Sequence, residues 1–506
     1  MTTLNAFVID ANVIMRLFIA GPFQREVKDF IVQTQYGLLK PIWVYRFSPG
    51  WEFWMSSPSS ASPLPHVTGR FSLALLPQVI PPETVAQVLA DTGKTSQRRR
   101  ALPTDFLVYY IIALGLFMDD SCREVLRRVQ EDLRQVVDLA VQANVAGKSA
   151  ITQARTKLGL PAVQLLFARL VAPRATPETR GAWYRRWRVV SFDGSTLATP
   201  NSASNAAAFG HSGSKHGLSA FPLVSFVTLV EAGTHLIFGA ALGAWRDAET
   251  TLARTLLPLL TPEMLLLVDR FYYGHAFWQA ALDTGASLVF RVKKNLTLPV
   301  AERLPDGSYL STTPPPKGVA QGHRVRVIEF QLTGHHQTYR LITNILEHTL
   351  APADELAALY HERWEHEGTL DELKTHLRGG ADVRLRSESA DLVRQEIYGL
   401  LLAHYAVRSV MLAAAREADE DPDVLSFLHT VRVLRRKLPQ LAALPPSAVV
   451  GLVGRRPDRG ATRTRRLQPR AERAARGAAT HQSISHPACR SHRWATHRLS
   501  DADRNH

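Results

Sequence analysis

The sequence predicts an α/β protein in which an all-α region precedes a stretch of buried strands and further helices follow it. Three observations predict this. Apolar residues recur at helical spacing from Pro81 to Leu170, the pattern changes to buried strands at Trp183, and helical spacing returns from Leu392. Strands alternate with helices in the middle stretch, as an α/β sheet requires. A chain of 506 residues holds about three or four domains. The boundaries fall at 1–45, a linker over 46–79, a helical region over 80–180, an α/β region over 181–410, C-terminal helices over 411–454 and a tail over 455–506.

Ala6 to Leu17 reads as a buried strand with an acidic loop at Asp10, Glu26 to Tyr36 as a helix and Lys40 to Val44 as a second strand. This order resembles the opening of a PIN-type ribonuclease, of whose acidic set only Asp10 is visible. A truncated fragment and an ordinary αβ lead-in fit it equally. Ser56 to Pro65 is a Ser/Pro-rich flexible linker. Pro81, Pro82 and Glu83 then open a helix, with Pro in the first turn and an acid behind it. Thr104 to Met118 is an apolar helix, and Ser121 with Glu124 forms a capping box ahead of Val125, Val129 and Leu133. Helices continue over Lys148 to Leu158 and Pro161 to Leu170. Arg98 to Arg100, Arg127, Arg128, Arg155 and Lys157 are basic residues by which this region can approach DNA, with a solvated surface as the competing reading of each.

In the central stretch, Arg188 to Asp193 is a strand ending in an acid, and Leu223 to Val230 pairs with His235 to Gly243. A helix over Glu249 to Leu260 leads to a second buried strand ending in an acid, Leu265 to Asp269. Ala276 to Thr284 is a helix and Leu288 to Lys293 a strand. Residues 295–345 form a small β insertion. Pro352 opens a long helix that runs through Lys374, and helices resume over Leu392 to Arg416 and Val424 to Lys437.

Composition excludes several classes. Only Cys122 and Cys489 occur, so neither a disulfide framework nor a cysteine zinc site is expected, and a reducing compartment is compatible. The apolar run Phe106 to Met118, 13 residues, is too short to span a bilayer. No charged n-region or small-residue cleavage site marks a signal peptide. A soluble cytoplasmic protein with no membrane partner is the expectation. The net charge of +15 suggests nucleic acid, but 13 Arg, no Lys and 4 acids from Arg455 onward supply +9 of it. The body is only mildly basic. The tail reads as disordered, with a shifted reading frame as one origin.

The chemistry concentrates in four residues. Tyr360, Arg363, Glu367 and Lys374 fall at about 0°, 300°, 340° and 320° around an ideal helix, inside a stripe about 60° wide. A charged stripe is ordinarily a solvated face. Here Leu356, Leu359, Leu370 and Leu377 keep much the same spacing, which makes it a polar patch in an apolar seam. Strand ends are where open α/β folds place functional groups. Asp193 and Asp269 at such ends, each alone more often a solvated turn residue, would with Glu367 make three carboxylates able to hold two Mg²⁺ ions beside a phosphate backbone.

These residues resemble the insertion element 4 family of DDE transposases over roughly Ile80 to Val453. Tyr360, Arg363, Glu367 and Lys374 meet its Y-x2-R-x3-E-x6-K signature without deviation, and Asp193 and Asp269 match its two aspartates in order. The resemblance implies an RNase H-like catalytic core with the β insertion between the second Asp and the Glu, after a helical DNA-binding domain. It implies cut-and-paste transposition: cleavage at terminal inverted repeats, a hairpin intermediate, and strand transfer into target DNA. Asp193, Asp269 and Glu367 carry over as catalytic metal ligands for two Mg²⁺, with Mn²⁺ able to substitute. Tyr360, Arg363 and Lys374 carry over as DNA contacts, and Arg291 and Lys293 are weaker candidates. Double-stranded DNA is the implied partner, bound by a homodimer in the nucleoid of a bacterium. Tyr309, Phe330 and Tyr339 are the insertion aromatics that can stack a flipped base. Two other readings fit the same residues: a nuclease that cuts without joining, and an impaired remnant that binds element ends and represses active copies.

Overall fold

The computed structural model describes residues 28–32, 40–44 and 76–435, apart from 97–101, 134–145, 215–216, 332–337 and 380–382. The chain divides into two units, Met1–Pro65 and His66–His506. In the first, Lys28–Val32 pairs antiparallel with Lys40–Val44. The second of these strands is the expected one. The first replaces the helix expected over Glu26 to Tyr36, because Phe30, Ile31 and Val32 are aromatic and β-branched residues that favour a strand. Asp10, the Arg98 to Arg100 run and the tail lie outside the described residues.

The second unit begins with helices α1 (Pro82–Asp91), α2 (Thr104–Leu116), α3 (Cys122–Leu133), α4 (Lys148–Leu158) and α5 (Leu160–Leu170). The Ser121 hydroxyl caps α3 by accepting from the Glu124 amide at 3.2 Å. Strands β1 (Trp187–Ala198), β2 (Leu223–Glu231), β3 (Leu236–Ala244), β4 (Met264–Val268) and β5 (Ser287–Arg291) follow. The insertion gives β6 (Glu302–Arg303), β7 (Tyr309–Thr312), β8 (Arg324–Gln331) and β9 (Thr338–Thr343). Then come α6 (Ala353–Tyr360), α7 (Trp364–Asp371), α8 (Ala390–Glu417) and α9 (Phe427–Arg435).

The strands form one mixed sheet in the order β6-β7-β8-β9-β5-β4-β1-β2-β3. β1, β4 and β5 are mutually parallel, and β2, β3 and β9 run antiparallel to their neighbours. The insertion is therefore no separate module: β9 pairs with β5 and continues the sheet. β1 also departs from expectation. It runs five residues beyond Asp193, because β2 pairs along its whole second half, from Asp193 opposite Thr228 to Ala198 opposite Leu223. The helix expected over Glu249 to Leu260 is split into Glu249–Arg254 and a 3₁₀ turn, Leu257–Leu259, around Pro258.

Helix α8 is the axis of the helical layer. It is long and apolar enough to cross a membrane, yet 89% of its most apolar window is buried inside the protein. It passes through residue 410, where the sequence suggested a boundary. Side chains of α1 to α5, α8 and the β2–β3 hairpin share one apolar core. Glycines allow α2 and α8 to touch: a Cβ on Gly115 would lie 2.7 Å from Leu400 Cα, and one on Gly399 2.4 Å from the Ile111 carbonyl oxygen.

Candidate active site

The site assembles where β1 meets the segment from α6 to residue 377. That segment is not the single helix expected. A 3₁₀ turn, His361–Arg363, separates α6 from α7, and a π-helical stretch, Glu372–Leu377, follows α7. The tighter turn and the wider one shift the ideal angular positions of the stripe. Its apolar seam is as expected: Leu356, Leu359, Leu370 and Leu377 are buried.

Val190 and Phe192 of β1 point into the apolar cluster on one side of the sheet. Val189, Ser191, Asp193 and Ser195 alternate with them on the other. Polar groups on a largely buried strand face need partners, and the helical segment supplies one at each step. His366 Nδ1 lies 2.8 Å from Ser191 Oγ, Arg363 Nη1 lies 3.9 Å from Asp193 Oδ2, and Lys374 Nζ donates to Ser195 Oγ at 2.7 Å. Asp269 directly follows β4. Ser191 pairs with Leu267, so Asp193 and Asp269 each stand two residues past the same pair on adjacent parallel strands, which run about 4.8 Å apart. Glu367 accepts from Arg363 Nη2 at 3.3 Å, and its side chain is 60% exposed. The sequence-predicted carboxylates are thus gathered at one edge of β1 and β4, with Arg363 between Asp193 and Glu367.

The electrostatics suit a cation. Burial pushes the Asp193 carboxyl up from 3.8 to about 6. Arg363 and the Gly194 amide, which donates at 2.9 Å, oppose this, and Glu367 and Glu249 add to it. Asp269 Oδ1 is buried with no hydrogen bond, and Arg291 Nη1 stands 3.7 Å from it. Oxygen donors of this kind match a hard divalent ion such as Mg²⁺ rather than a thiolate-seeking metal.

Other predicted residues take less expected places. Tyr360 is buried and its hydroxyl donates to the Val268 carbonyl at 3.1 Å, so it touches the end of β4 rather than solvent. The Arg291 guanidinium lies over the Tyr339 ring, 4.6 Å from its centroid, and Lys293 is exposed beyond β5. Tyr309 is buried, and Phe330 and Tyr339 stack on each other at 5.4 Å. Phe271, two residues after Asp269, and Trp364, next to Arg363, are exposed aromatics, at 64% and 41%. Arg155 is not a surface contact at all: it is buried, donating to Gln395, Ser387 and the Leu392 carbonyl. Arg127 and Arg128 are tied to Glu124, Glu131 and Asp120, while Lys157 is exposed.

Sequence reasoning missed two neighbours of the site. Glu249 presses its carboxylate on Gly194, where a Cβ would lie 2.4 Å from its carboxyl carbon, and accepts from Tyr272 at 3.2 Å. In sequence it is only an acid in a helix's first turn, a common position. His366 carried no signal, being one histidine in a polar run. A second buried group, His235, Glu365 and Asp423, also brings three ligand-type atoms within 4.8 Å of one another. There Arg408 lies 2.5 Å from His235 Nδ1 and also binds Glu372, and His235 Nε2 stands 3.0 Å from Asp423 Oδ1.

Two family models match the chain. "Insertion element 4 transposase N-terminal" covers residues 70–168 and "Transposase DDE domain" covers 186–406. The chain is 27% identical over 396 residues to "Transposase InsG for insertion sequence element IS4" of Escherichia coli (strain K12), covering 76% of this chain and 87% of that protein. It is 26% identical over 211 residues to "Putative transposase InsZ" of the same organism, covering 40% of this chain and 65% of that one. A chain solved in a cryo-EM structure of a piggyBac transposase synaptic complex with hairpin DNA aligns at a TM-score of 0.39 and 10% identity, over 72% of this chain and 79% of that one.

Proposed function

Since the chain belongs to the insertion element 4 family of DDE transposases, enzymes of DNA transposition, we propose that Asp193, Asp269 and Glu367 hold its divalent cations and direct its phosphodiester chemistry. The observation that carries this reading is the gathering of Asp193 on β1 and Asp269, directly after β4, at matched positions under the segment that bears Glu367. The strand order β3-β2-β1-β4-β5, with only β2 antiparallel to both its neighbours, supports an RNase H-like core over 181–410. The insertion of 295–345 extends it.

Two Mg²⁺ ions held by these carboxylates, replaceable by Mn²⁺, would supply the Lewis acidity for activating a water or 3′ hydroxyl and stabilising a leaving 3′ oxygen. The protein's own residues set the geometry. Tyr360 fixes the end of β4 through Val268, one residue before Asp269. Arg363 offers a planar fork to a phosphate, and Lys374 a point charge. Arg291 and Lys293 extend the basic border along β5. The helical region of 80–180 grips terminal inverted repeats, and a homodimer brings two ends together in the bacterial cytoplasm, at the nucleoid.

The test uses DNA carrying the inverted repeats that flank the reading frame. Glu367→Ala abolishes end cleavage and leaves repeat binding intact; loss of both together contradicts the assignment. Precleaved ends are joined to target DNA by the wild type. Cleavage without joining would make the protein a nuclease, and binding without either reaction a repressor.

A further inference from the structure

Glu367 is poorly held by its own side chain. It is more than half exposed and its carboxylate meets Arg363 at 3.3 Å. Its place relative to Asp193 therefore depends on how α7 is seated on β1. Leu370 of α7 and Leu373 just beyond it pack into the apolar core, a non-directional contact. The polar contact at this level belongs to the preceding residue. His366 is 1% exposed, with Nδ1 2.8 Å from Ser191 Oγ and Nε2 2.8 Å from Thr228 Oγ1. Ser191 shares the strand face of Asp193, two residues before it, and Thr228 is the residue that pairs with Asp193 on β2. One imidazole thus touches both strands beside Asp193 from the position next to Glu367. A neutral imidazole has one donor and one acceptor, and a hydroxyl can serve either, so both ring nitrogens are satisfied at fixed angles.

We propose that His366 is a positioning residue, whose imidazole spans Ser191 and Thr228 and thereby sets Glu367 against Asp193. The proposal rests on the reading of Asp193, Asp269 and Glu367 as metal ligands. Residues that orient metal ligands without touching the metal change metal affinity or activity by about 10–100-fold when removed.

The experiment compares wild type, His366→Leu, His366→Gln and the double variant Ser191→Ala/Thr228→Val. Mn²⁺ affinity is measured by calorimetry on the full chain, joining of precleaved ends by single-turnover kinetics, and repeat binding by gel shift. His366→Leu and the double variant are expected to weaken Mn²⁺ binding about tenfold and slow joining about 10–100-fold, at unchanged repeat affinity. His366→Gln, whose amide keeps a donor and an acceptor, recovers part of both. If His366→Leu does not fold, the double variant cuts the same two contacts from the strand side. A lower melting temperature with wild-type Mn²⁺ affinity and joining rate per folded molecule makes His366 merely structural and overturns the proposal. Wild-type Mn²⁺ binding by Glu367→Gln overturns the metal-ligand reading itself, and the proposal with it.

Discussion

Asp193, largely buried, and Glu396, fully buried, are both carboxylates beside arginines, and their surroundings drive them in opposite directions. Glu396, on α8, accepts from the Arg386 amide at 3.2 Å and Nε at 3.1 Å, and from the Ser387 amide at 3.1 Å and hydroxyl at 2.7 Å. Burial alone would raise it, but Arg386, Arg155 and the Ser387 hydroxyl hold it below the usual carboxylate range. Asp193 has one backbone donor and an arginine at 3.9 Å, and burial pushes it up to about 6. Glu396 joins the loop before α8 to α4 through Arg155 and has no unmet need. Asp193, with the orphaned oxygen of Asp269 beside it, is a site with negative charge to spare. The difference separates an ion cluster that holds the fold together from one that the fold holds open.

That contrast can be broken at either end. The largest effect is expected at Glu367→Gln, which lowers end cleavage by about 10³-fold, the several kcal/mol that divalent charge stabilisation supplies. Its melting temperature stays near wild type because the side chain is exposed. A parallel fall in melting temperature would place Glu367 with Glu396 as a structural group. Glu396→Ala should cost about 3–5 kcal/mol of stability in denaturant titrations, since it strands Arg386 among carbonyls. The folded protein releases the Glu396 proton more readily than the unfolded chain. Its contribution is therefore complete above the ordinary value of 4.5 and is lost as pH falls below it.

Asp193→Asn should do the reverse, raising stability by on the order of 1–3 kcal/mol at pH 7 while abolishing cleavage. The sign follows from the raised carboxyl. Folded metal-free protein binds this proton more tightly, so the wild type gains stability relative to Asp193→Asn as pH falls from about 6 towards 3.8. An Asn variant that is less stable at neutral pH would mean that the Arg363 contact outweighs burial. The smallest effect is expected at Ser195→Ala, about 0.5–1.5 kcal/mol from the lost Lys374 bond. Wild-type stability there would show that Lys374 is held elsewhere.

Much of this arrangement was legible in the sequence. The spacing of Tyr360, Arg363, Glu367 and Lys374, and the apolar runs leading into Asp193 and Asp269, mark the candidate site in sequence because helix and strand periods are local properties. The breaks at His361–Arg363 and Glu372–Leu377 were not legible, since hydrogen-bond registers one residue tighter or wider leave the apolar pattern nearly unchanged. Arg155 looks like a surface residue in sequence because its partner Gln395 is 240 residues away, and His366 carries no sequence signal because Ser191 is 175 residues away. Propensity carries no information at that range. One local signal is present: Ser191 and Asp193 alternate with Val190 and Phe192, and a polar face on a central strand announces a partner layer.

The central claim is that Asp193, Asp269 and Glu367 form a divalent-ion site which the Glu396 cluster does not. A ligand that binds only folded protein raises its stability by about 2.7 kcal/mol at a hundredfold excess over Kd. The most direct measurement is therefore the thermal shift induced by Mn²⁺ in the wild type, Asp193→Asn, Asp269→Asn, Glu367→Gln and Glu396→Gln. A shift in the wild type and Glu396→Gln that disappears in the other three is the predicted result. An equal shift in all five proteins would contradict it.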